Sequence, residues 1–364
     1  MPSTDVDLSQ YMDSIFIPFI YKFSTEHTPQ VMCTIAGVDI EMPVDTGSTG
    51  LLIGSPILPN LSTIGKPAHH FFTSSSILYV GRLVELPVKF HGAAGSYATA
   101  SVPVLVVDRS WRCPWYDPTQ DKFDCPLGPH GEKAAERDTS NITYMGVGFG
   151  RNLLKDGMPY GTPSINPFLN VETINGLATS SASLRAGYMM STEGVHLGVT
   201  SKNTQGFVFM DLEPGLSHAE DPRDWSMLTM CFSVNDEERS CGSGLIDIGI
   251  PQMYVRPAEG VSIPTVIIRN PNEHGYAETV KRVLPGTRIT VGFPSLETPA
   301  ASYSFIVGGG SVMEPSDVRP QDETLPPFVN TGRHFFFGYS VAFDAIGGRI
   351  GFHPMSAPSS SSVL

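Results

Sequence analysis

Two short loops constrain this chain more than any other feature. The first lies in Glu41-Met42-Pro43-Val44-Asp45-Thr46-Gly47-Ser48-Thr49-Gly50-Leu51-Leu52-Ile53. Apolar residues lead into an Asp-Thr-Gly-Ser turn and apolar residues lead out. An acidic side chain with hydrogen-bonding Thr46 and Ser48 beside it is thereby set on a tight loop between two buried strands. Gly47 lets the backbone turn without a Cβ clash. Far downstream, Gly244-Leu245-Ile246-Asp247-Ile248-Gly249-Ile250 echoes the pattern. An apolar pair again precedes an Asp, and Gly249 again follows two residues later. The echo implies two similar β lobes with a cleft between them.

The rest of the composition agrees with an all-β chain. Among 364 residues there are 36 Gly and 31 Pro, which favour turns and short strands over long helices. The hydrophobic share of 41% is enough for a substantial core. A net charge of −13 argues against a nucleic-acid partner or an anionic membrane surface. No run approaches the ~20 apolar residues of a spanning helix. Ile15-Phe16-Ile17-Pro18-Phe19-Ile20 is too short for one and reads as a strand. No leader or propeptide is visible, so the expectation is an intracellular monomer, with a secreted protein trimmed of its leader as the alternative. Cys113 with Cys125, and Cys231 with Cys241, could each close a disulfide, leaving Cys33; five reduced thiols fit equally well. No Cys/His spacing suggests a metal site, and no cofactor is expected.

Along the chain, Ile15 to Ser24 and Gln30 to Val44 read as strands, the second delivering Asp45. Phe71 to Gly92 should hold a hairpin. Residues 111 to 141 form a turn-rich insertion with one aromatic cluster, Trp111 to Tyr116, which either packs onto the body or offers a partner surface. Asn166 to Ile174 reads as a short helix opened by Pro167. Strands are expected at Leu184 to Val199, Thr204 to Leu212, Trp225 to Cys241, Val261 to Arg269, Thr287 to Phe293 and Ala301 to Gly308. The serine-rich end, residues 355–364, reads as a disordered tail.

The paired loops resemble the active-site loops of the pepsin-like aspartic peptidases. Tyr144-Met145-Gly146-Val147-Gly148-Phe149 resembles the apolar-apolar-Gly strand that threads the first loop. Phe343-Asp344 and Arg349-Ile350-Gly351-Phe352-His353-Pro354 resemble the closing strands. The resemblance runs from Ile15 to Pro354. It implies an all-β, bilobal, pepsin-like β-barrel fold with an interlobe cleft, an N-terminal lobe over 15–187 and a C-terminal lobe over 188–354. It also implies that Asp45 and Asp247 are the catalytic carboxylates. Two carboxylates that close cannot both ionise easily, so one keeps a proton while the other activates water or another nucleophile.

The supporting residues depart from that pattern. In the family the Thr after each Asp ties the loops together; Thr46 is present, but its counterpart is Ile248. A hydroxyl three residues after each Asp bonds that carboxylate; Ser48 is present, but its counterpart is Ile250. Asp247 should therefore be raised in pKa by burial among few donors. The hairpin that closes over the substrate, the flap, normally carries a tyrosine at its tip. Here the tip reads Ser74-Ser75-Ser76, and the nearest tyrosine, Tyr79, is out of register. A tryptophan that usually partners the flap tyrosine is replaced by Leu52. The strand threading the second loop reads Asn330-Thr331-Gly332, with Arg333 where an Asp is usual.

Three functions remain open. The first is an enzyme repurposed for acid–base chemistry, an isomerisation, elimination or cyclisation on a small molecule such as a fungal natural-product intermediate. Asp45 and Asp247 would be the acid–base pair, supported by Thr46, Gly47, Ser48 and Gly249. Leu52, Ser74, Ser75, Ser76, Tyr79, Ile248 and Ile250 would line the cleft and flap. The second is an aspartic endopeptidase of narrow specificity, taking a peptide in the same cleft. The third is a non-catalytic pepsin-like binding protein.

Overall fold

The computed structural model describes residues 7–61, 64–72, 75–152, 161–270, 279–322 and 324–355. Among them the chain is all-β, and its strands form sheets of nine, seven, six and two. Alternation sets the strand faces. Ala301–Ile306 alternates buried and exposed along its whole length, as a strand with one face on the core must. Thr49–Gly54 is buried at every position because the sheet covers it on both sides.

The nine-stranded sheet forms the first lobe. Val38–Asp45 runs parallel to Thr143–Val147, which runs antiparallel to Thr49–Gly54. The long strands Ile77–His91 and Tyr97–Arg112 pair along their lengths and close the sheet into a barrel. A register shift falls between Val80 and Gly81. A Cβ on Gly81 would lie 1.9 Å from the Val106 carbonyl oxygen, so only glycine fits that bend. The seven-stranded sheet repeats the local arrangement. Arg239–Leu245 runs parallel to Phe328–Asn330, which runs antiparallel to Met253–Arg256. Each lobe therefore has an Asp loop whose two flanking strands are held by one inserted strand.

The six-stranded sheet joins the lobes. It takes Ile15–Pro18, Gly187–Met190, Gly194–Leu197, Val208–Asp211, Tyr339–Asp344 and Arg349–Pro354. The expected lobe boundary at 187–188 falls inside one of these strands. One apolar core runs through all three large sheets, from Val31 and Val44 through Tyr188 to Phe232, Phe335 and Phe352. Within the joining sheet lies a buried ion cluster. Asp344 is fully buried and accepts from Arg185 (Nε, 2.8 Å) and Arg349 (Nη2, 2.7 Å).

One expectation changes and one open choice is decided. Asn166 to Ile174 is not a helix; it makes a short 3-10 turn, Pro167–Leu169, then the strand Val171–Ile174, and another 3-10 turn, Pro163–Ile165, precedes it. The β-branched Val171, Thr173 and Ile174 favour the pleat. The turn ends on local bonds, with Phe168 N–H donating to the Asn166 side chain and Asn170 Nδ2 donating to Pro163 O. The aromatic cluster that opens the 111–141 insertion packs onto the body, whereas Phe123 further along is exposed. Trp111, Cys113 and Tyr116 cluster with Phe71 and Leu78 on the outer face of the Lys66–Phe72/Ile77–His91 hairpin. Cys113 is bonded to Cys125, and its N–H donates to Ser76 O at 2.7 Å. The hairpin is thereby braced from outside. Cys231 and Cys241 form a second disulfide and Cys33 is free and buried. The expected tail lies, apart from Met355, outside the described residues.

Asp344→Ala leaves two buried guanidinium groups without their carboxylate. Loss of one partner from a buried ion cluster costs about 3–5 kcal/mol. Urea unfolding of the variant should show a stability loss of that order, whereas a change within experimental error would mean that the cluster is not holding the joining sheet.

Candidate active site

Asp45 ends its strand and pairs in register with Gly146 of the inserted strand. A Cβ on Gly146 would lie 2.5 Å from Thr49 N, so the inserted strand passes the loop at glycine distance. The loop then folds back on its own carboxylate. Gly47 N–H donates to Asp45 Oδ1 at 2.7 Å and Ser48 Oγ donates to Oδ2 at 2.5 Å. Asp247 is held in the same way at one oxygen, where Gly249 N–H donates to Oδ1 at 2.8 Å. Both side chains are buried, with Asp45 8% and Asp247 4% exposed.

The loops meet at their glycines. A Cβ on Gly47 would lie 2.4 Å from Asp247 Oδ2, and one on Gly249 would lie 2.2 Å from Asp45 Oδ1. No side chain is tolerated at either place, so each loop reaches the other's carboxylate only because both carry glycine. The two carboxyls are close enough that the charge of Asp45 bears directly on Asp247. Thr46 ties the loops from one side. Its hydroxyl donates to Ile246 O (2.6 Å) and accepts from Ile248 N–H (2.9 Å). No hydroxyl reciprocates from Ile248, as its side chain dictates.

Two side chains that the sequence reading did not place at the site bond directly to the pair. Tyr144 OH donates to Asp45 Oδ2 and also contacts Ser48 Oγ. Asn330 Nδ2 donates to Asp247 Oδ2 at 2.7 Å. They occupy matching positions, each two residues before the glycine of an inserted strand, Gly146 and Gly332. That match is legible once the two strands are aligned, but the position reads as apolar framework in the first lobe. Asn330 also corrects the expectation that Asp247 is short of donors: the hydroxyl missing at Ile250 is replaced by an amide from the neighbouring strand.

Burial pushes the Asp247 carboxyl up to about 8, and the charge of Asp45 adds to the rise, with Asn330 opposing both. Burial and the same charge hold the Tyr144 phenol well above its ordinary range. Arg333 lies behind the second loop, 2% exposed. Its Nη2 donates to Gly249 O (2.8 Å) and Thr28 Oγ1 (3.1 Å), while Nε and Nη1 have no hydrogen-bond partner. Burial lowers it to about 10, and the two aspartates work against that fall. The charged groups of the site are thus two carboxyls and one guanidinium, with a phenol and an amide as neutral donors.

The other expected site residues scatter. Leu52 is buried directly opposite Tyr144 in the sheet. Ile248, expected in the cleft lining, is fully buried and belongs to the apolar core, as its hydrocarbon side chain favours. Ile250 is half-buried, and its carbonyl accepts from Arg333 N–H at 2.8 Å. Ser74 lies outside the described residues. Ser75 and Ser76 sit in the hairpin turn. Tyr79 lies in the hairpin strand, edge-on to Phe72 at 5.8 Å, and Phe72 is edge-on to Tyr144 at 4.9 Å. Among the described residues none of Ser75, Ser76 and Tyr79 bonds to either aspartate, and no group of three or more His, Cys, Asp or Glu side chains could hold a metal ion.

No protein-family model matches the chain and no curated protein matches it, so the reading of the site rests on its geometry. That geometry has a consequence for stability. Asp247 keeps its proton in the folded state up to about 8 but releases it near 3.8 when unfolded. Between those values the folded state binds more protons, so stability falls as pH rises through the window and levels off above it. Asp247→Asn should flatten that slope in denaturation curves taken across the window; an unchanged slope would place the raised titration elsewhere.

Proposed function

We propose that the chain is a pepsin-like protein whose aspartate pair performs acid–base chemistry on a small molecule, an isomerisation, elimination or cyclisation, in place of general peptide hydrolysis. The observation that carries this reading is the pair of polar side chains, Tyr144 and Asn330, inserted onto the two carboxylates from matching positions of the two lobes. Three donors converge on Asp45, from Gly47, Ser48 and Tyr144, and suit its carboxylate form as a proton acceptor. Asp247, kept protonated by burial, suits the proton donor. Tyr144 links the pair to the first-lobe interior and can relay or anchor a proton at Asp45 Oδ2.

The same features disfavour an ordinary peptide substrate. Asp45 Oδ2, an oxygen open to a proton from water in the peptidase mechanism, already accepts from Tyr144 and Ser48. The Gly249 carbonyl beside the pair already accepts from Thr28 and Arg333, so both its lone pairs are taken and none remains for a peptide amide. The braced hairpin further favours a fixed, small site over a flap that lifts for a long chain.

The narrow-specificity endopeptidase remains the second reading, favoured by one observation. The elements that hold the pair, Gly47, Gly249 and the cross-loop bonds of Thr46, are intact. The binding-protein reading is less favoured, because Trp111 and Tyr116 of the insertion are packed against the hairpin rather than presented.

A diverse peptide mixture incubated with the folded protein at acidic and neutral pH, and read by mass spectrometry, separates the readings. No cleavage is the expected result. In parallel, small-molecule extracts should show species consumed by the wild type and consumed at least ~100-fold more slowly by Asp45→Asn, the scale of a lost general acid or base. Peptide cleavage abolished by Asp45→Asn would overturn the proposal in favour of the endopeptidase.

A further inference from the structure

One buried cation has no part in the chemistry described so far. Arg333 lies three residues after Asn330 and opens a 3-10 turn, Arg333–Phe337. Only one of its three guanidinium nitrogens is bonded. Nη2 donates to Gly249 O at 2.8 Å and to Thr28 Oγ1 at 3.1 Å, while Nε and Nη1 have no partner. As a stabilising brace this is a poor arrangement. A buried guanidinium loses its hydration, and each N–H left without an acceptor adds to that cost. The position of Nη2 is nevertheless specific. Gly249 is the glycine that lets the second loop reach Asp45, and its N–H holds Asp247 Oδ1. Thr28 also donates to Gly249 O, at 2.9 Å. Next to Thr28, Pro29 O accepts from Val44 N–H at 2.9 Å, and Val44 precedes Asp45 on its strand. Arg333, Thr28 and Gly249 O thus form a closed triangle between the second loop and the strand that carries Asp45. Ile248 has no hydroxyl to answer Thr46, and this triangle supplies a second tie.

We infer that Arg333 is a positioning residue of the aspartate pair: through Thr28 it fixes Gly249 against the strand that carries Asp45, and it serves as the buried counter-ion of the pair. Two side chains of one segment then grip the second loop, Asn330 at the Asp247 carboxyl and Arg333 at the Gly249 carbonyl. The charge has a definite effect. Asp247 and Asp45 both favour the charged guanidinium against its burial. That attraction is mutual, so Arg333 favours ionised carboxyls and opposes the rise that burial gives Asp247. Without Arg333 the pair would hold its proton to higher pH. Other ionisable groups stand near. Tyr144 is on Asp45. His334 adjoins Arg333 and feels the charge of Glu314; burial lowers its pKa, and Arg333 adds to that fall. Arg151 lies beside Gly148, with Nη1 on Met227 Sδ at 3.5 Å. All four are kept in the variants below. The inference deepens the proposed acid–base function and rests on it for its catalytic meaning, whereas the tie and the charge are read without any substrate.

The full chain, labelled with ¹³C at its aspartate carboxyls, is titrated by NMR. Asp45 and Asp247 are assigned by the loss of each signal in Asp45→Asn and Asp247→Asn. In Arg333→Met the release of the Asp247 proton should move up by about one pH unit, the low end of what an opposite charge does to a carboxyl. Arg333→Lys keeps the charge and should return most of that shift. Hydrogen exchange at the Gly249 amide reads the tie. Thr28→Val removes the hydroxyl and leaves the guanidinium, and should speed that exchange roughly fivefold, the net effect of one hydrogen bond. A loss of stability in Arg333→Met with the Asp247 titration unmoved is the mark of a merely structural role and would overturn the counter-ion. A Gly249 amide that exchanges no faster in Thr28→Val would overturn the tie. Should Arg333→Met fail to fold, Arg333→Gln carries the same titration, since it is neutral and keeps a donor for Gly249 O. Neither readout involves turnover, so their failure is told apart from an inert aspartate pair.

Discussion

The chemistry proposed for this molecule depends on two carboxyl groups being pressed together where only glycine fits. Gly47 and Gly249 each stand where a single added carbon would meet the opposite aspartate well inside van der Waals contact. The folding cost of that approach is met by ties around it. The Thr46 hydroxyl satisfies one donor and one acceptor of the second loop, and an inserted strand in each lobe clamps the loop between its flanking strands. A shared proton follows from the proximity. Two carboxylates in a buried site cannot both carry charge at ordinary pH, and burial decides in favour of a neutral Asp247.

The asymmetry between the two loops has a physical compensation that lies on other strands. Where the second loop carries Ile248 and Ile250 it has no hydroxyls to offer, and Asn330 supplies a donor from the inserted strand. Where the hairpin tip brings no tyrosine, Tyr144 supplies one from the corresponding strand of the first lobe. These groups sit on strands of the sheets rather than on a hairpin tip. On the proposed reading, donors that were carried by mobile or loop elements have been replaced by donors built into the sheets, which favours a pre-set site for a small substrate. Arg333 adds a buried positive charge behind the second loop, with N–H groups that have no partner and no carboxylate in direct contact among the described residues.

Much of the architecture was legible in the sequence. Alternation, glycine and proline placement and the repeated Asp loop led to an all-β chain with two lobes, and the structure is all-β and bilobal. Strands such as Ala301–Ile306 follow from pattern alone. The stretch after Asn166 did not, because a proline-led start looked helical while the β-branched residues behind it preferred a sheet. The site was legible in its two aspartates and in the residues that act within each loop, Gly249 among them. Asp45, Thr46, Gly47 and Ser48 act through neighbours in sequence, so their bonds can be read from spacing. Tyr144 and Asn330 reach the pair through strand insertion, and a tyrosine in an apolar run looks like core. Ile248 was misplaced because its spacing from Asp247 does not tell whether its hydrocarbon side chain joins the cleft or the core, and the structure puts it in the core.

The central claim is that one proton sits on Asp247 while Asp45 is a carboxylate held by Tyr144, Ser48 and Gly47. Neutron diffraction from deuterium-exchanged crystals near neutral pH locates those hydrogens directly. The account predicts a deuteron on Asp247, none on Asp45, and the Tyr144 deuteron pointing at Asp45 Oδ2. A deuteron on Asp45, or a bare Asp247 beside a bare Asp45, would contradict it.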